Sequence, residues 1–268
     1  GDTAWELIYR LSEPEVELYM ENRRAKGFTV IQTVILSELD GSDGINRPLI
    51  NGSPSTPDPD YFKWVDRVLE IAGEKGLYVG LLPTWGDKVD KQWGAGPEIF
   101  DEANAREYGR WLGRRYADTP NIIWIIGGDR SGEGKNFTVW KAMAEGIKEC
   151  DKRHLMTYHP QGEHSSSFWF HDETWLDFNM FQSGHAQRDY AIYRRLLLND
   201  LQKQPIKPVL DGEPRYENIP IDFKSENGRF DDFDVRMTLY QSMFSGACGY
   251  TYGCNEVWQM YSDKSVSY

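Results

Sequence analysis

The sequence predicts an α/β fold of the (β/α)8, or TIM-barrel, class. Short continuous apolar runs alternate along the chain with amphipathic stretches of helical length, which is typical of parallel βα units. The length of 268 residues is close to the roughly 250 residues of one such barrel. We therefore predict a single (β/α)8 domain over residues 1–268, with strands that are buried on both faces.

Seven strands are predicted from short runs of apolar and β-branched residues. The runs cover residues 28–36, 77–82, 121–126, 155–158, 177–181, 208–210 and 247–252. A barrel has eight strands, and residues 2–5 are predicted to form a loop just past a strand end. We therefore expect the chain to lack at least part of its first strand, before Gly1, and also its last helix. On this interpretation the chain is an excerpt of a longer protein.

Helices are predicted between these strands. They cover residues 13–26, 60–75, 103–116, 137–151, 189–198 and 231–245. The first has Ser12 as its N-cap and Pro14 in its first turn, and Gly27 follows its last turn. The second carries its apolar residues on one stripe and is followed by Gly76. Each helix therefore has one face suited to packing against a sheet.

The composition disfavours several classes of protein. The net charge of −12 argues against a nucleic-acid partner, because such proteins more often present a basic face. Three cysteines without paired spacing do not form a disulfide framework, and Cys248 and Cys254 are expected to be buried. No apolar run reaches the roughly 18 residues that a membrane span needs, and no signal peptide opens the sequence.

Two carboxylates follow predicted strands. A Gly-Gly pair joins residues 121–126 to Asp129, and an Asp-Gly pair joins residues 208–210 to Glu213. Counting the expected first strand, Asp129 follows the fourth strand and Glu213 the seventh. These are the positions of the acid/base and the nucleophile in many retaining glycosidases with this fold. Hydrolysis of a glycosidic bond needs such a pair of carboxylates.

Weaker interpretations of these residues stay open. A lone Asp after two glycines is also typical of a helix cap or a loop, and Gly-Glu-Pro by itself is a weak motif. Asp211, two residues before Glu213, is a rival or supporting carboxylate. The nearby Arg130 and Arg215 are cations that are able to hold a carboxylate in its ionised form.

Polar and aromatic residues follow the other strand ends, where a barrel builds its active site. Glu38 among them is also a third candidate carboxylate, for which substrate binding or the orientation of a neighbour is the favoured role. The residues expected to bind substrate are Asp2, Trp5, Gln32, Glu38, Trp85, His159, Gln182, His185, Tyr252 and Trp258.

The histidines and tryptophans each allow two interpretations. His159 and His185 are possible metal ligands, but no His-x-x-x-His helix occurs, so hydrogen bonding to sugar hydroxyls is favoured. Trp85, Trp93 and Trp258 either form a sugar platform or pack in the core. We expect neither a metal nor another cofactor. A Walker-type phosphate loop and a Gly-x-Ser-x-Gly motif do not occur, so a serine hydrolase is not supported.

Five motifs together resemble the apiosidase-like glycoside hydrolases, glycoside hydrolase family 140. They are Gly-Asp-Thr-Ala-Trp-Glu-Leu at 1–7, Gly-Phe-Thr-Val-Ile-Gln at 27–32, Trp-Ile-Ile-Gly-Gly-Asp at 124–129, Phe-Gln-Ser-Gly-His at 181–185 and Asp-Gly-Glu-Pro at 211–214. The resemblance covers nearly the whole chain. It implies a (β/α)8 barrel, often followed by a small β-sandwich that is described as collagen-binding.

The resemblance also implies an activity. In that family the Asp of Gly-Gly-Asp and the Glu of Gly-Glu-Pro are the catalytic pair, which correspond here to Asp129 and Glu213. The family activity releases apiose from pectic side chains, and its members come largely from bacteria that degrade plant polysaccharides. A periplasmic or extracellular location is therefore expected.

These observations predict a retaining glycoside hydrolase that releases a terminal glycosyl residue from a plant pectic glycan, with an apiose-like furanoside as the favoured substrate. Oligosaccharides or polysaccharides are thus the expected partners. The alternatives are a non-catalytic carbohydrate-binding barrel and a collagen-interacting module. A metal-dependent hydrolase is a weaker third alternative.

Overall fold

Nine strands form two sheets in the computed structural model, which describes residues 1–189 and 191–262. They are β1 (Asp2–Thr3), β2 (Val30–Val34), β3 (Tyr78–Leu82), β4 (Ile122–Arg130), β5 (Met156–Pro160), β6 (His164–Ser165), β7 (Asn179–Gln182), β8 (Val209–Asp211) and β9 (Gly249–Tyr250). Strands β1 to β5 pair in parallel in chain order, and so do β7 to β9. The short β6 pairs antiparallel with β7 at the edge of the second sheet.

The two sheets lie in the order of a (β/α)8 barrel. On one side, the chain just past β9 pairs with β1, because the Thr3 N–H donates to the Tyr252 carbonyl over 3.0 Å. On the other side, β5 and β7 are joined by sparser bonds: the Asp177 N–H donates to the Met156 carbonyl over 2.8 Å, and the Thr157 hydroxyl to the Phe178 carbonyl over 2.7 Å. Strands β1 to β5 and β7 to β9 therefore follow barrel order, although the ladder is not continuous between β5 and β7. The predicted fold class is confirmed.

Helices connect the strands. They are α1 (Leu7–Arg10), α2 (Glu13–Ala25), α3 (Asp43–Asn46), α4 (Pro59–Glu74), α5 (Glu102–Tyr116), α6 (Lys135–Cys150), α7 (Ser167–Phe170), α8 (Ala191–Leu201), α9 (Asp232–Phe244) and α10 (Asn255–Trp258). The long helices begin at polar caps, as the capping boxes of Ser12, Asp101 and Asp231 illustrate. All six predicted helices are present among the described residues; residue 190 of the predicted helix 189–198 lies outside them, and α8 covers Ala191–Leu201.

A buried cluster fills the barrel interior beneath the carboxyl ends of the strands. It contains Val34, Leu82, Ile125 and Met180, and two aromatic residues, Trp5 and Trp85, lie at its upper edge. A separate and larger cluster packs between the first sheet and its helices. The functional side chains therefore stand on a packed interior that fixes the strand ends.

Two details differ from the sequence-based expectation. Asp2–Thr3 is a strand that pairs with β2, so the prediction of a loop at residues 2–5 is wrong there. The strand has no apolar run that would predict it: Asp2 is buried by polar contacts with Tyr19 and Arg23 of helix α2, and Thr3 is polar as well. Cys248 is exposed and Cys254 half-buried, whereas both were expected to be buried. No helix among the described residues is both long and apolar enough to cross a membrane.

Candidate active site

A cavity of about 720 Å³ opens at the carboxyl ends of the strands. This volume is in the range of small-molecule sites. Eight of the predicted site residues line it: Trp5, Glu38, Trp85, Asp129, Gln182, His185, Glu213 and Trp258. For most of the other lining residues no role was predicted. These residues are Trp93, Gly162, Glu163, His164, Gly184, Ala186, Tyr216, Ile219 and Phe223.

The end of β4 explains why Asp129 follows two glycines. Gly127, Gly128 and Asp129 have φ angles of 92°, 135° and 62°, all in the left-handed region. A Cβ atom at Gly127 would lie 2.5 Å from the His159 carbonyl oxygen, and one at Gly128 would lie 2.8 Å from the Gly86 nitrogen. Only glycine fits at both positions. The resulting bulge in the β4–β5 pairing delivers Asp129 to the cavity in a conformation that costs energy for a non-glycine residue.

The surroundings of Asp129 favour its protonated form. Burial raises the pKa of the Asp129 carboxyl, and the negative charge of Glu213 raises it further. His159, Arg130 and a hydrogen bond from Gln182 act in the opposite direction but do not cancel these effects. Asp129 therefore holds a proton at a higher pH than an ordinary aspartic acid does.

The surroundings of Glu213 have the opposite effect. Its Oε1 lies 2.9 Å from His185 Nε2, and its Oε2 lies 2.9 Å from His159 Nε2. Burial raises the pKa of the Glu213 carboxyl, but the two imidazoles outweigh burial and lower that pKa to about 2. Glu213 is therefore an ionised carboxylate in a site where only 6% of the residue is exposed.

His159 connects the two carboxylates. The backbone N–H of Asp129 donates to His159 Nδ1 over 3.3 Å, so in the neutral ring Nε2 carries the proton and faces Glu213. The ring is fully buried and packs against Trp5 and Trp85, with centroid distances of 5.3 and 5.7 Å. This packing fixes the orientation of the imidazole. His159 was predicted to bind substrate, but the structure places it beneath the cavity, in contact with Glu213.

Tyr216 is a member of the site that the sequence analysis did not identify. Its hydroxyl accepts a hydrogen bond from Trp5 Nε1 over 2.8 Å, and its ring packs against His185 with centroids 4.4 Å apart. Burial and the neighbouring charge of Glu213 raise the pKa of the Tyr216 hydroxyl well above its usual value. The only sequence signal was its position three residues after Glu213.

Glu38 is a further carboxyl on the cavity wall. Burial raises the pKa of Glu38 well above its ordinary value, and the negative charges of Asp87, Asp129 and Glu6 raise it further. Arg130 lowers that pKa, but its guanidinium is directed at backbone carbonyl oxygens. Arg130 therefore acts on both Glu38 and Asp129, but burial outweighs its charge at each of the two carboxyls.

Besides His159, three other residues expected to bind substrate do not line the cavity. The Asp2 carboxylate is buried against helix α2, where it forms an ion pair with Arg23 and accepts a hydrogen bond from Tyr19 over 2.5 Å. Gln32 lies inside the barrel and donates to the Gly212 carbonyl over 3.1 Å. The Tyr252 hydroxyl donates to Glu217 over 2.6 Å. These expectations are corrected, because each side chain is directed into the scaffold and not into the cavity.

Asp211, the rival to Glu213, is also separated from the cavity. It is fully buried and accepts hydrogen bonds from Ser183 over 3.0 Å and from Ser242 over 2.9 Å. Burial raises its pKa to about 7, and the serine hydroxyls only partly oppose this rise. Asp211 and Glu213 are two residues apart, but Gly212 and the chain beyond the strand bring only Glu213 to the cavity.

Several buried polar atoms at the cavity have no partner within the described part of the chain. They are Trp85 Nε1, Gln182 Oε1 and His185 Nδ1. Buried donors and acceptors are normally paired, so these atoms are placed to pair with a ligand that carries hydroxyl groups. Among residues 1–189 and 191–262, no group of three or more His, Cys, Asp or Glu side chains is arranged to hold a metal ion.

Comparison with known proteins identifies the family. The model of the apiosidase-like catalytic domain matches residues 1–268. A solved structure described as a glycoside hydrolase is 36% identical with a TM-score of 0.86, and the match covers 100% of this chain and 63% of that one. A glycoside hydrolase family 5 structure from Bacteroides vulgatus ATCC 8482 is 35% identical with a TM-score of 0.86, covering 100% of this chain and 60% of that one.

A more distant structure shares the fold. The hyperthermostable endo-1,4-β-D-mannanase from Thermotoga petrophila RKU-1 is 16% identical with a TM-score of 0.67, covering 95% of this chain and 87% of that one. No match was found among curated proteins. The chain spans 63% and 60% of the length of the two more similar structures. The match over the whole chain confirms the predicted family, and the chain belongs to the apiosidase-like catalytic domains.

Proposed function

We propose that this domain is a retaining glycoside hydrolase in which Asp129 is the acid/base and Glu213 the nucleophile. The observation that carries this proposal is the contrast between the two carboxyls in one cavity. Burial and the charge of Glu213 raise the pKa of Asp129, whereas two imidazoles lower the pKa of Glu213 to about 2. A protonated acid beside an ionised carboxylate is the starting state of the retaining mechanism.

The first step of this mechanism forms a covalent intermediate. A Glu213 carboxylate oxygen attacks the anomeric carbon, and the bond from that carbon to the leaving oxygen breaks. The leaving oxygen takes the proton of Asp129, so the released alcohol is neutral. The His159 and His185 contacts hold the Glu213 carboxylate in position for this attack.

The second step returns the enzyme to its starting state. Asp129, now ionised, takes a proton from a water molecule whose oxygen attacks the anomeric carbon. The bond from that carbon to Glu213 breaks, and the carboxylate is released. Loss of the ester restores the negative charge of Glu213, which again raises the pKa of Asp129. One residue is thereby able to act first as an acid and then as a base.

The charges of the cavity support a neutral sugar beside Glu213. Among the described residues, four carboxyl side chains line the cavity, those of Glu38, Asp129, Glu163 and Glu213, and no lining residue of this part of the chain is Lys or Arg. A uronate held next to Glu213 would meet like charge without a compensating cation. An apiose-like furanoside is neutral, and a pectic glycan that ends in it is the substrate we favour.

An activity screen tests the proposal. Wild type and Asp129→Asn are incubated with pectic side chains, aryl furanosides and a β-1,4-mannan, and the released monosaccharides are analysed. We expect wild type to release one neutral sugar, and its anomeric configuration, followed by NMR, to be the same as in the substrate. Binding without release by wild type would instead support the non-catalytic carbohydrate-binding alternative, and an inverted first product would exclude the retaining mechanism.

A further inference from the structure

The most exposed aromatic residue on the cavity wall is Trp93, with 60% of its surface accessible. It lies on the loop between β3 and α5, beside the end of strand β4 that bears Asp129. Other tryptophans of the cavity are almost fully buried: Trp5, Trp85 and Trp258 are 3%, 4% and 7% exposed. Trp93 therefore has a different role from these residues, because it presents a broad apolar face to solvent at the mouth of the site.

The loop that carries Trp93 is tied to the strand end that carries Asp129. The Arg130 guanidinium is fully buried and donates to three carbonyl oxygens: those of Asp90 over 2.6 Å, Lys91 over 2.9 Å and Asp129 over 2.8 Å. Its Cζ also lies 4.3 Å from the centroid of the Trp93 ring. One buried cation thus fixes the loop backbone, the indole and the Asp129 backbone relative to each other.

Further contacts fix the loop. The buried Lys88 donates to the Gly96 carbonyl over 2.8 Å, and the Gly96 N–H donates to Asp87 over 2.6 Å. At Gly94 a Cβ atom would lie 2.3 Å from the Asp87 Cβ, so the chain beside Trp93 has no free space on that side. The constrained loop therefore holds the indole of Trp93 in an exposed position. This exposure is unfavourable in free energy, because apolar surface stays in water.

We propose that Trp93 is the platform for the leaving group, and that it stacks on the apolar C–H face of the sugar ring from which the terminal residue is cleaved. This proposal rests on the function proposed above, in which Asp129 protonates the leaving oxygen. The leaving sugar must lie on the Asp129 side of the cavity, and Trp93 is the exposed ring that Arg130 joins to that side. Arg130 is then a positioning residue for both the platform and the acid.

The proposal is tested by comparing two substrates that share the same terminal sugar. One is the oligosaccharide that wild type cleaves, and the other is the glycosyl fluoride of the released sugar, whose leaving group has no ring. The measured quantity is kcat/KM for the oligosaccharide divided by kcat/KM for the fluoride. We expect Trp93→Ala to lower this ratio by about tenfold or more, the range for the loss of one apolar contact in a substrate pocket.

Two variants serve as controls. Phe244→Ala removes an aromatic ring that is 85% exposed on α9 and does not line the cavity, so the ratio should stay at the wild-type value. Trp93→Tyr keeps an aromatic face and should recover most of the ratio. If Trp93→Ala lowers kcat/KM for both substrates by the same factor, the ring only supports the site and the platform assignment is wrong. If the activity screen finds no oligosaccharide that wild type cleaves, the proposed function itself fails.

A binding measurement tests the platform independently of turnover. In the Glu213→Gln background, titration calorimetry with the intact oligosaccharide should show weaker binding when Trp93 is replaced by Ala. The free terminal monosaccharide should bind both proteins equally, because it does not reach the platform. Equal binding of the oligosaccharide to both proteins would contradict the proposal.

Discussion

Asp129 and Glu213 face one cavity, but their surroundings differ in charge. On the Asp129 side the nearest titratable groups include other carboxyls, and the one nearby guanidinium is bound to backbone carbonyl oxygens. On the Glu213 side two imidazoles contact the two carboxylate oxygens. The same functional group therefore has a raised pKa in one place and a lowered pKa in the other. The residues on neighbouring strand ends, and not the carboxyl group itself, therefore set the pKa of each carboxyl and with it the one that is suited to act as the acid.

Replacement of Glu213, the proposed nucleophile, should have the largest effect. We expect Glu213→Gln to lower kcat by at least about 10³-fold, because the amide cannot form the covalent intermediate. With Glu213→Ala, added azide should restore turnover and yield a glycosyl azide of inverted configuration, which NMR identifies. A Glu213→Gln variant that keeps more than about a tenth of wild-type kcat would remove Glu213 from this role.

Replacement of Asp129, the proposed acid, should have a smaller effect that depends on the leaving group. Asp129→Asn should lower kcat/KM for a natural glycan by about 10²- to 10⁴-fold. The loss should be much smaller for an aryl glycoside with a good leaving group, because that group departs without a proton. Steady-state kinetics on the two substrates measures this difference, and equal losses on both would contradict an acid role.

The pH dependence of activity tests the difference in pKa between Asp129 and Glu213. The proposed mechanism needs ionised Glu213 and protonated Asp129, so wild-type activity should persist to low pH and decline as pH rises through the raised pKa of Asp129. His185→Phe keeps a ring against Tyr216 but removes the contact with Glu213. The pKa of Glu213 should then rise, and the acid limb should move to higher pH by roughly one unit. An unmoved acid limb would show that His185 does not stabilise the carboxylate.

Replacement of Asp211 should have the smallest effect on kcat. It is a matched control for the replacement of Glu213, because the two residues are two positions apart on the same chain segment. Asp211→Asn should change kcat by less than about tenfold, since the side chain does not reach the cavity. Its main effect should be on stability. Burial raises the pKa of Asp211 from 3.8 to about 7, so between these values the folded state holds a proton that the unfolded state has lost.

The free energy of unfolding should therefore fall as pH rises through this window, by at most about 1.4 kcal/mol per pH unit for one proton. Asp211→Asn should flatten this dependence in denaturant unfolding at several pH values. Some dependence should remain, because burial also raises the pKa of Glu6 to about 7. An unchanged slope in the variant would show that Asp211 is ionised in the folded protein.

The sequence alone determined the order of elements and the position of the two carboxylates proposed as the catalytic pair. Apolar periodicity located seven of the barrel strands and all six long helices, because strands buried on both faces and one-sided helices leave distinct patterns. The same patterns located Asp129 and Glu213, since barrel geometry places strand ends around one opening. The strand Asp2–Thr3 was not predicted, because a polar strand of two residues contains no apolar run.

Tertiary structure alone decided what surrounds each carboxyl. Asp2, Gln32 and Tyr252 were expected at the site because they are polar residues at or near strand ends, but their partners are scaffold residues that are distant in sequence. Tyr216 joins the site because its hydroxyl meets the indole of Trp5, 211 residues earlier. The pKa values depend on contacts of this kind. A single sequence records which residues carry charge, whereas the distances between charges and their burial exist only once the strand ends are assembled around one cavity.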